Sequence, residues 1–457
     1  MGAHMDQGHI KSKTVTQNSD NMNCAFPFSS LSRKYILLVT GLVISMSIFA
    51  QTTPPLTLSL QQCYDLAKQN YPLIKQRELI KRTRDYTIEN IGTGYLPQWT
   101  TSGQVTYQSD VTQLPFKVIP GIPGLDVPII PKTQYKVYGE IDQNIYDGGN
   151  IKWQKQVERA NADIQDQSLE VDLYTLKDRI NQLFFSILLI NEQVKQNELQ
   201  QQDLQFVVDA TQAAVDNGAG YRRSLDEAKV ELLKSQQNNI DLRTTRKSYL
   251  SMLGLLVNLS LDESTILETP PDLAISSDIN RPELKLYDTQ KKLYDVQERQ
   301  LSVNLMPKVS AFVQGGYAQP PLNMLSANPE FYYIGGLRFN WPLTSLYTHK
   351  NEKRILELSR NNQDVLKETF VFNTNQTLTQ QGNEITKLRQ LIDKDKQIIE
   401  LRTSIKNAGK AQAQNGVITV HDYLTYVNDE NRARQDFLLH QIQLLNTTYN
   451  YKTTSGN

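Results

Sequence analysis

His421 and Asp422 stand side by side and are, by residue type, the pair best suited to acid–base chemistry. Beyond residue 50 the only other histidines are His349 and His440, and none of the three has a histidine or cysteine neighbour at metal-binding spacing. Numerous carboxylates are expected on solvated helices, so no catalytic pair can be singled out. We interpret His421 and Asp422 as an exposed pair on a helix rather than as an acid–base dyad.

The motifs that accompany common enzymatic chemistry are absent from the sequence. It contains no GxSxG, no phosphate-binding P-loop and no GxGxxG placed between a strand and a helix. The sequence therefore predicts no enzymatic activity, no cofactor and no metal site.

The net charge and the cysteine count argue against a nucleic-acid-binding protein and against a fold held together by disulfides. Beyond residue 50 the formal net charge is about −2, which gives no electrostatic footprint for nucleic acid. Cys63 is the only cysteine in that part of the chain, so no internal disulfide can form there.

The N-terminal segment has the features of an export signal. Residues 1–4 resemble an expression remnant, and Arg33 and Lys34 precede an apolar run over 35–49 that ends at Ala50. We predict a cleaved signal peptide; a membrane anchor is the alternative, but the run is short for a span of about 20 residues. Gln51 is not a cysteine, which argues against lipid attachment at that point.

The sequence contains an internal repeat, so the helices and strands that would position a functional site are predicted to occur twice. Residues 70–97 align without gaps with residues 280–307, so that Pro72 matches Pro282 and Pro97 matches Pro307. Each segment is predicted to be a helix that has one proline in its first turn and ends at the other. A repeat of about 200 residues indicates one large duplicated unit rather than a solenoid of short modules.

Two segments of alternating character follow each of these helices. Apolar and polar residues alternate over about ten positions in each, with tyrosine, phenylalanine or tryptophan on the apolar side. This pattern is typical of transmembrane β-strands, and an ordinary two-layer sheet is the alternative. The loop at 113–132 is rich in proline and apolar residues.

A very long helix is predicted after each pair of strands. Residues 151–217 contain neither glycine nor proline, and residues 345–408 contain only Gly382. Such helices are about 100 Å long and must pack lengthwise, as in coiled coils. Four strands in one chain cannot close a sheet, and lipid does not tolerate an open edge, so several chains must share one barrel if the strands lie in a membrane.

The chain resembles the TolC-like outer-membrane channels. The resemblance covers about 56–457 and rests on LTLSLQQCYDLAKQNYPLIK, on RPEL in the second half, on the proline before each hairpin and on paired Asn-Gly turns. It implies an α+β membrane protein: a homotrimer whose chains each contribute four transmembrane strands to a 12-stranded barrel, above a long antiparallel α-helical coiled-coil tunnel. It also implies a Gram-negative outer membrane, a periplasmic adaptor and an inner-membrane pump as partners, and passive efflux as the function.

The resemblance also assigns the segments of the chain. The predicted order is the expression remnant and signal peptide at 1–50, N-terminal helices at 51–97, a first transmembrane hairpin at 98–147, long periplasmic helices at 148–254, an equatorial linker at 255–283, a helix at 284–307, a second hairpin at 308–343, and long periplasmic helices with the C-terminus at 344–457.

The two predicted helical tips carry the candidate gate. The family places an inward-pointing acidic residue six positions after the glycine of the second tip, which is Asp422 here. Three such carboxylates around a threefold axis would repel each other and favour a cation; capping of a helix is the alternative role. Asp226 fits the same spacing in the first tip only if Gly220 is taken as its glycine.

At the tips, the Asn-Gly turns match the family pattern, whereas three other positions depart from it. Ile418 and Ala413 stand where the family often has a latch arginine and a tyrosine, and Thr425 stands at a further acidic position. Tyr221, Arg222 or Arg223 is a candidate substitute for the latch. The residues expected to meet the adaptor are Asn217, Gly218, Asn415 and Gly416, for which plain turn chemistry is the alternative.

Two other functions compete with efflux at this point. A type I protein secretion channel would use the same subunit, because the pump selects the cargo. A periplasmic coiled-coil scaffold or adaptor without a pore would not need aromatic residues on one side of all four strands.

Overall fold

The structure, a computed structural model, describes residues 56–112, 129–323 and 326–457. The predicted signal peptide and most of the loop at 113–132 lie outside these residues. The described elements are β1 (Thr57–Leu58), α1 (Leu60–Asn70), α2 (Gln76–Gly92), β2 (Gln98–Tyr107), β3 (Thr133–Tyr146), α3 (Asn150–Tyr174), α4 (Leu176–Asp216), α5 (Arg222–Val257), β4 (Ile266–Leu267), α6 (Pro282–Val303), β5 (Lys308–Gln319), β6 (Glu330–Asn340), α7 (Ser345–Gln414) and α8 (Val420–Ser455). No helix among them combines the length and the hydropathy that a bilayer span requires.

The matched prolines mark equivalent boundaries in the two halves. Pro72 opens a short 3₁₀ turn before α2, and Pro282 is the first residue of α6. Pro97 and Pro307 directly precede β2 and β5. In both halves the helix ends a few residues earlier, at Gly92 and Val303, and the proline is the last residue before the strand.

The long helix predicted from residue 151 is divided in two. α3 ends at Tyr174 and α4 begins at Leu176, on either side of Thr175. The Thr175 hydroxyl donates to the Asp172 carbonyl at 2.7 Å, which offers the backbone an alternative to the regular helix bond. Its counterpart α7 runs through 70 residues without a break.

β2, β3, β5 and β6 form one antiparallel sheet in that order. Ten residue pairs join β2 to β3, and the two hairpins meet where β3 pairs with β5. Within this chain β2 and β6 are the edge strands. A second sheet consists only of β1 beside β4, which pair in parallel and bring the start of the described chain to the linker between the halves.

The helices pack lengthwise in pairs around three apolar clusters of buried residues. α4 packs against α5 and α7 against α8, and α4 also packs against α8. One core contains Phe184, Phe185 and the fully buried Cys63, and a second lies near the tips around Leu225 and Val427. A third, smaller one lies between α7 and α8 and consists of Leu378, Ile385 and Tyr451.

The end of the linker between the two halves contacts the C-terminal end of α8. The Arg281 guanidinium donates to the Thr453 carbonyl at 3.2 Å and pairs with Glu283. The Asn280 backbone N–H donates to the Ser455 carbonyl at 2.7 Å. The linker and the C-terminal helix therefore lie together.

Candidate functional site

The four-stranded sheet separates apolar from charged side chains. On one face of this sheet, nine large apolar side chains are more than half exposed in the single chain. These residues are Trp99, Val105, Tyr107, Val137, Val313, Phe331, Tyr333, Leu337 and Phe339. An exposed aromatic face of this extent is not stable in water without a partner or lipid against it.

The opposite face of the sheet carries a charged cluster. The Arg338 guanidinium lies 2.8 Å from the Asp142 carboxylate and 2.9 Å from the Glu140 carboxylate. It also lies 4.6 Å from the centre of the Phe312 ring, and the Ser310 hydroxyl donates to Asp142 at 3.1 Å. This face is therefore polar and suited to water, as the alternation in the sequence predicts.

The two helical tips have the same backbone structure. In the first, Gly218 donates to the Val215 carbonyl at 3.0 Å and Ala219 donates to the Ala214 carbonyl at 2.8 Å. In the second, the N–H groups of Gly416 and Val417 make the equivalent bonds at 3.1 and 2.9 Å. These pairs of bonds define a Schellman motif, in which the glycine has a positive φ, here 69° and 71°.

Turn chemistry therefore accounts for the Asn-Gly pairs at both tips. Asn217 and Asn415 are the C-caps of α4 and α7. No atom lies within 4 Å of the position that a Cβ would take at either Gly218 or Gly416, so the space beside both glycines is open. A role in binding an adaptor stays a prediction.

Asp422 caps the helix on which it lies. Its carboxylate accepts bonds from the Thr419 hydroxyl at 2.6 Å and from the Thr419 backbone N–H at 3.1 Å. The Asp422 N–H donates in return to the Thr419 hydroxyl at 3.1 Å, which completes a capping box. The bonds from Thr419 lower the pKa of Asp422 below its usual value. The carboxylate is exposed and carries a charge, as a constriction would need, but that role stays a prediction.

Asp226 lies on the first turns of α5. Its carboxylate is exposed and lies 3.6 Å from the Arg222 guanidinium on the same helix. A groove of about 680 Å³ between α5 and α8 is lined by both Asp226 and His421. Asp226 and the start of α8 therefore share one groove at the tips.

Two of the positions that depart from the family pattern, Ile418 and Ala413, are apolar contacts. Ile418 and Ala413 are partly buried against the core near the tips, so within this chain neither position can supply a polar latch. Arg222 pairs with Asp226 and Arg223 with Glu227, each within α5. Tyr221 is 82% exposed.

A charged network that was not predicted from the sequence joins the helices. The Lys406 ammonium lies 2.9 Å from Asp203 on α4 and 2.7 Å from Glu430 on α8. The same Glu430 carboxylate accepts from Arg434 at 2.6 Å and from the Thr403 hydroxyl at 2.9 Å. Only the i,i+4 spacing of Glu430 and Arg434 is visible in the sequence.

Amide side chains continue this connection along α4 and α8. Gln200 donates to Asn428 at 3.2 Å and accepts from Asn431 at 2.9 Å. Asn428 also donates to Glu231 on α5 at 3.1 Å. The helices of the two halves are thus joined by polar contacts above the tips.

The remaining residues suited to chemistry occupy structural positions. Burial raises the pKa of the Cys63 thiol to about 12, so it is not a reactive thiolate. His440 Nδ1 lies 2.6 Å from the Asp395 carboxylate, between α7 and α8. Across the described ranges, no group of three or more histidine, cysteine or acidic side chains could hold a metal ion.

The fold is that of solved outer-membrane channels. CusC is 13% identical over 87% of this chain and 92% of its own, with a TM-score of 0.63. VceC from Vibrio cholerae is 12% identical over 87% and 96%, with a TM-score of 0.62. The Campylobacter jejuni CmeC channel is 12% identical over 87% and 85%, with a TM-score of 0.60.

Part of the sequence matches a family model. Residues 63–258 match the family model described as outer membrane efflux protein. A search of curated proteins finds no match. The chain is therefore similar to the outer membrane efflux protein family over residues 63–258.

Proposed function

We propose that three copies of this chain form an outer-membrane channel of a tripartite efflux system. The channel passively conducts substrates that an inner-membrane pump delivers with the help of a periplasmic adaptor. The observation that carries the proposal is the sheet, which has two unpaired edges, an exposed aromatic face and a charged opposite face. A periplasmic scaffold without a pore would have no use for that aromatic face.

The dimensions of the strands suit a membrane barrel. β2, β3, β5 and β6 are 10, 14, 12 and 11 residues long, and a tilted transmembrane strand needs about 9–11. Pairing β6 of one copy with β2 of the next satisfies both open edges, and three copies then give twelve strands. The aromatic face meets lipid and the face with Arg338, Glu140 and Asp142 meets water.

An unpartnered stripe on α7 supports the same assembly. Leu358, Val365 and Phe372 are seven residues apart and each is more than half exposed in the single chain. A seven-residue apolar spacing is the signature of a helix that packs lengthwise against another helix. We assign the opposing helix to a neighbouring copy, because α6 already occupies the other side of α7.

We place the gate and the docking surface at the helical tips. Asp422 from each copy forms the constriction, with Asp226 beside it, and three exposed carboxylates favour cations at the entrance. Asn217, Gly218, Asn415 and Gly416 form the surface that meets the adaptor. The open space beside the two glycines supports this assignment.

Fractionation and conductance test the function together. We expect the protein in the outer-membrane fraction, as trimers that dissociate on heating before gel electrophoresis, and we expect discrete conductance steps in planar bilayers. A soluble monomer without conductance would refute the proposal.

A further inference from the structure

Two lysines just beyond the sheet occupy equivalent positions in the two halves. Lys152 on α3 and Lys350 on α7 are 198 residues apart, which is also the spacing between Gly218 and Gly416. Both are exposed, and neither pairs with a carboxylate among the described residues. The next lysine of α7, Lys353, does find a partner in Glu298 at 2.9 Å. Lys152 and Lys350 are therefore duplicated charges that form no ion pair within the described residues.

Exposed apolar side chains precede both lysines at the same distance. Ile145 lies seven residues before Lys152 and Leu343 lies seven residues before Lys350, and each is more than half exposed. Aromatic rings are adjacent: Lys152 lies 5.8 Å from the centre of the Trp153 ring, and Tyr347 is 83% exposed in the first turn of α7. Aromatic residues followed by basic ones are typical of the boundary between lipid tails and headgroups.

We propose that Lys152 and Lys350 bind the phosphates of anionic lipid headgroups in the leaflet that faces the periplasm. The inference rests on the proposed function, because it needs the sheet to lie in the membrane. Three copies place six such lysines around the barrel at its periplasmic end. A lysine ammonium is a compact point charge that binds phosphate well. Each basic residue near an anionic membrane surface strengthens attachment by about fivefold.

The test is a lipid titration of purified, delipidated trimers, followed by native mass spectrometry. We expect phosphatidylglycerol to bind wild-type trimers more tightly than phosphatidylethanolamine. In K152Q/K350Q the apparent Kd for phosphatidylglycerol should weaken by about fivefold or more, with little change for phosphatidylethanolamine. K152R/K350R keeps both charges and should bind like wild type.

Two controls distinguish the loss of this particular site from a general loss of positive charge and from binding of free phosphate. K247Q/K394Q removes two exposed, unpaired lysines on helices, each more than 50 residues along the chain from β2, β3, β5 and β6, and should leave both lipid affinities unchanged. Inorganic phosphate that competes with phosphatidylglycerol at equal concentration would show a free-phosphate site and overturn the assignment to lipid.

The result also distinguishes this inference from the function on which it rests. Trimers that conduct but bind phosphatidylglycerol equally well in wild type and K152Q/K350Q would overturn the lipid site alone. A conductance change in K152Q/K350Q without a change in lipid affinity would place these lysines in the lumen and overturn it as well. Failure of wild type to form conducting trimers would refute the proposed function itself.

Discussion

The Lys406 ammonium lies 2.7 Å from the Glu430 carboxylate and joins α7 to α8 at a point where Glu430 is only 4% exposed. A buried carboxylate is stable only when charged or polar partners replace the water that it has lost. Glu430 has three such partners, Lys406, Arg434 and Thr403, and Lys406 extends the network to Asp203 on α4. One side chain therefore holds three helices together.

Replacing Lys406 with methionine should destabilise the helical part of the chain. The change leaves Glu430 with fewer partners, and a hydrogen bond to a charged group is worth about 2 kcal/mol. Thermal unfolding followed by circular dichroism should show a lower Tm. The matched control is Lys396→Met, because Lys396 is exposed and lies 3.8 Å from an exposed Asp393; its Tm should stay close to that of wild type.

Glu430 should also make the stability depend on acid pH. Burial alone would raise the pKa of Glu430, but the hydrogen bonds from Lys406, Arg434 and Thr403 outweigh burial and hold the pKa below its usual value. A carboxyl with a lowered pKa in the folded chain contributes fully above its unfolded value of about 4.3, and the contribution is lost as the pH falls through the folded value.

Glu430→Gln tests this directly. The variant should be less stable than wild type at neutral pH. The difference should shrink as the pH falls below about 4, because Glu430 of the unfolded chain then binds a proton while the folded chain, with its lowered pKa, does so only at still lower pH. The measurement is the free energy of unfolding in denaturant over a pH series. A difference that stays constant down to about pH 3 would show that the charge of Glu430 does not contribute.

The sequence predicts those features that depend on residues close together in the chain, such as a repeating apolar pattern or a glycine or proline at a turn. Period-2 alternation predicts the strands that contain Trp99 and Phe339, and the glycine and proline positions predict where long helices turn. The predicted α+β combination of long helices with a small amount of sheet is confirmed. The break at Thr175 was not predicted, because a threonine within a helical pattern is no helix-breaking signal.

The features that escaped prediction depend on residues far apart in the chain. Lys406 and Asp203 are 203 residues apart, and no local pattern indicates that they meet. The β1–β4 pair is only two residues long on each side, too short for alternation to be visible. For Asp422 the sequence left two roles open, and the structure shows one of them, the cap.

Asp422→Asn separates the cap from the proposed constriction. An asparagine oxygen can still accept from Thr419, so the cap is largely kept while the charge is removed. We expect altered single-channel conductance and weaker preference for cations in planar bilayers. Thr419→Ala removes the hydroxyl that caps the helix but keeps the carboxylate, and should leave the preference for cations unchanged. The same conductance in wild type and Asp422→Asn would exclude Asp422 from the gate.

Two glycines of the second half should respond to alanine in opposite directions. Gly416 has a φ of 71°, so Gly416→Ala forces a side chain into the left-handed region at a cost of about 1 kcal/mol. Gly382 lies inside α7 with right-handed backbone, and a Cβ there would come no closer than 4.0 Å to the Tyr451 ring, so Gly382→Ala should stabilise by about 0.5–1 kcal/mol. Tm values should therefore fall for the first variant and rise for the second.

The same two variants test whether the adaptor binds at the second tip. A Cβ at position 416 would meet no atom of this chain within 4 Å, so a loss of adaptor binding in Gly416→Ala that exceeds its loss of stability would identify the tip as a contact surface. Equal adaptor binding by Gly416→Ala and Gly382→Ala would count against docking at Gly416.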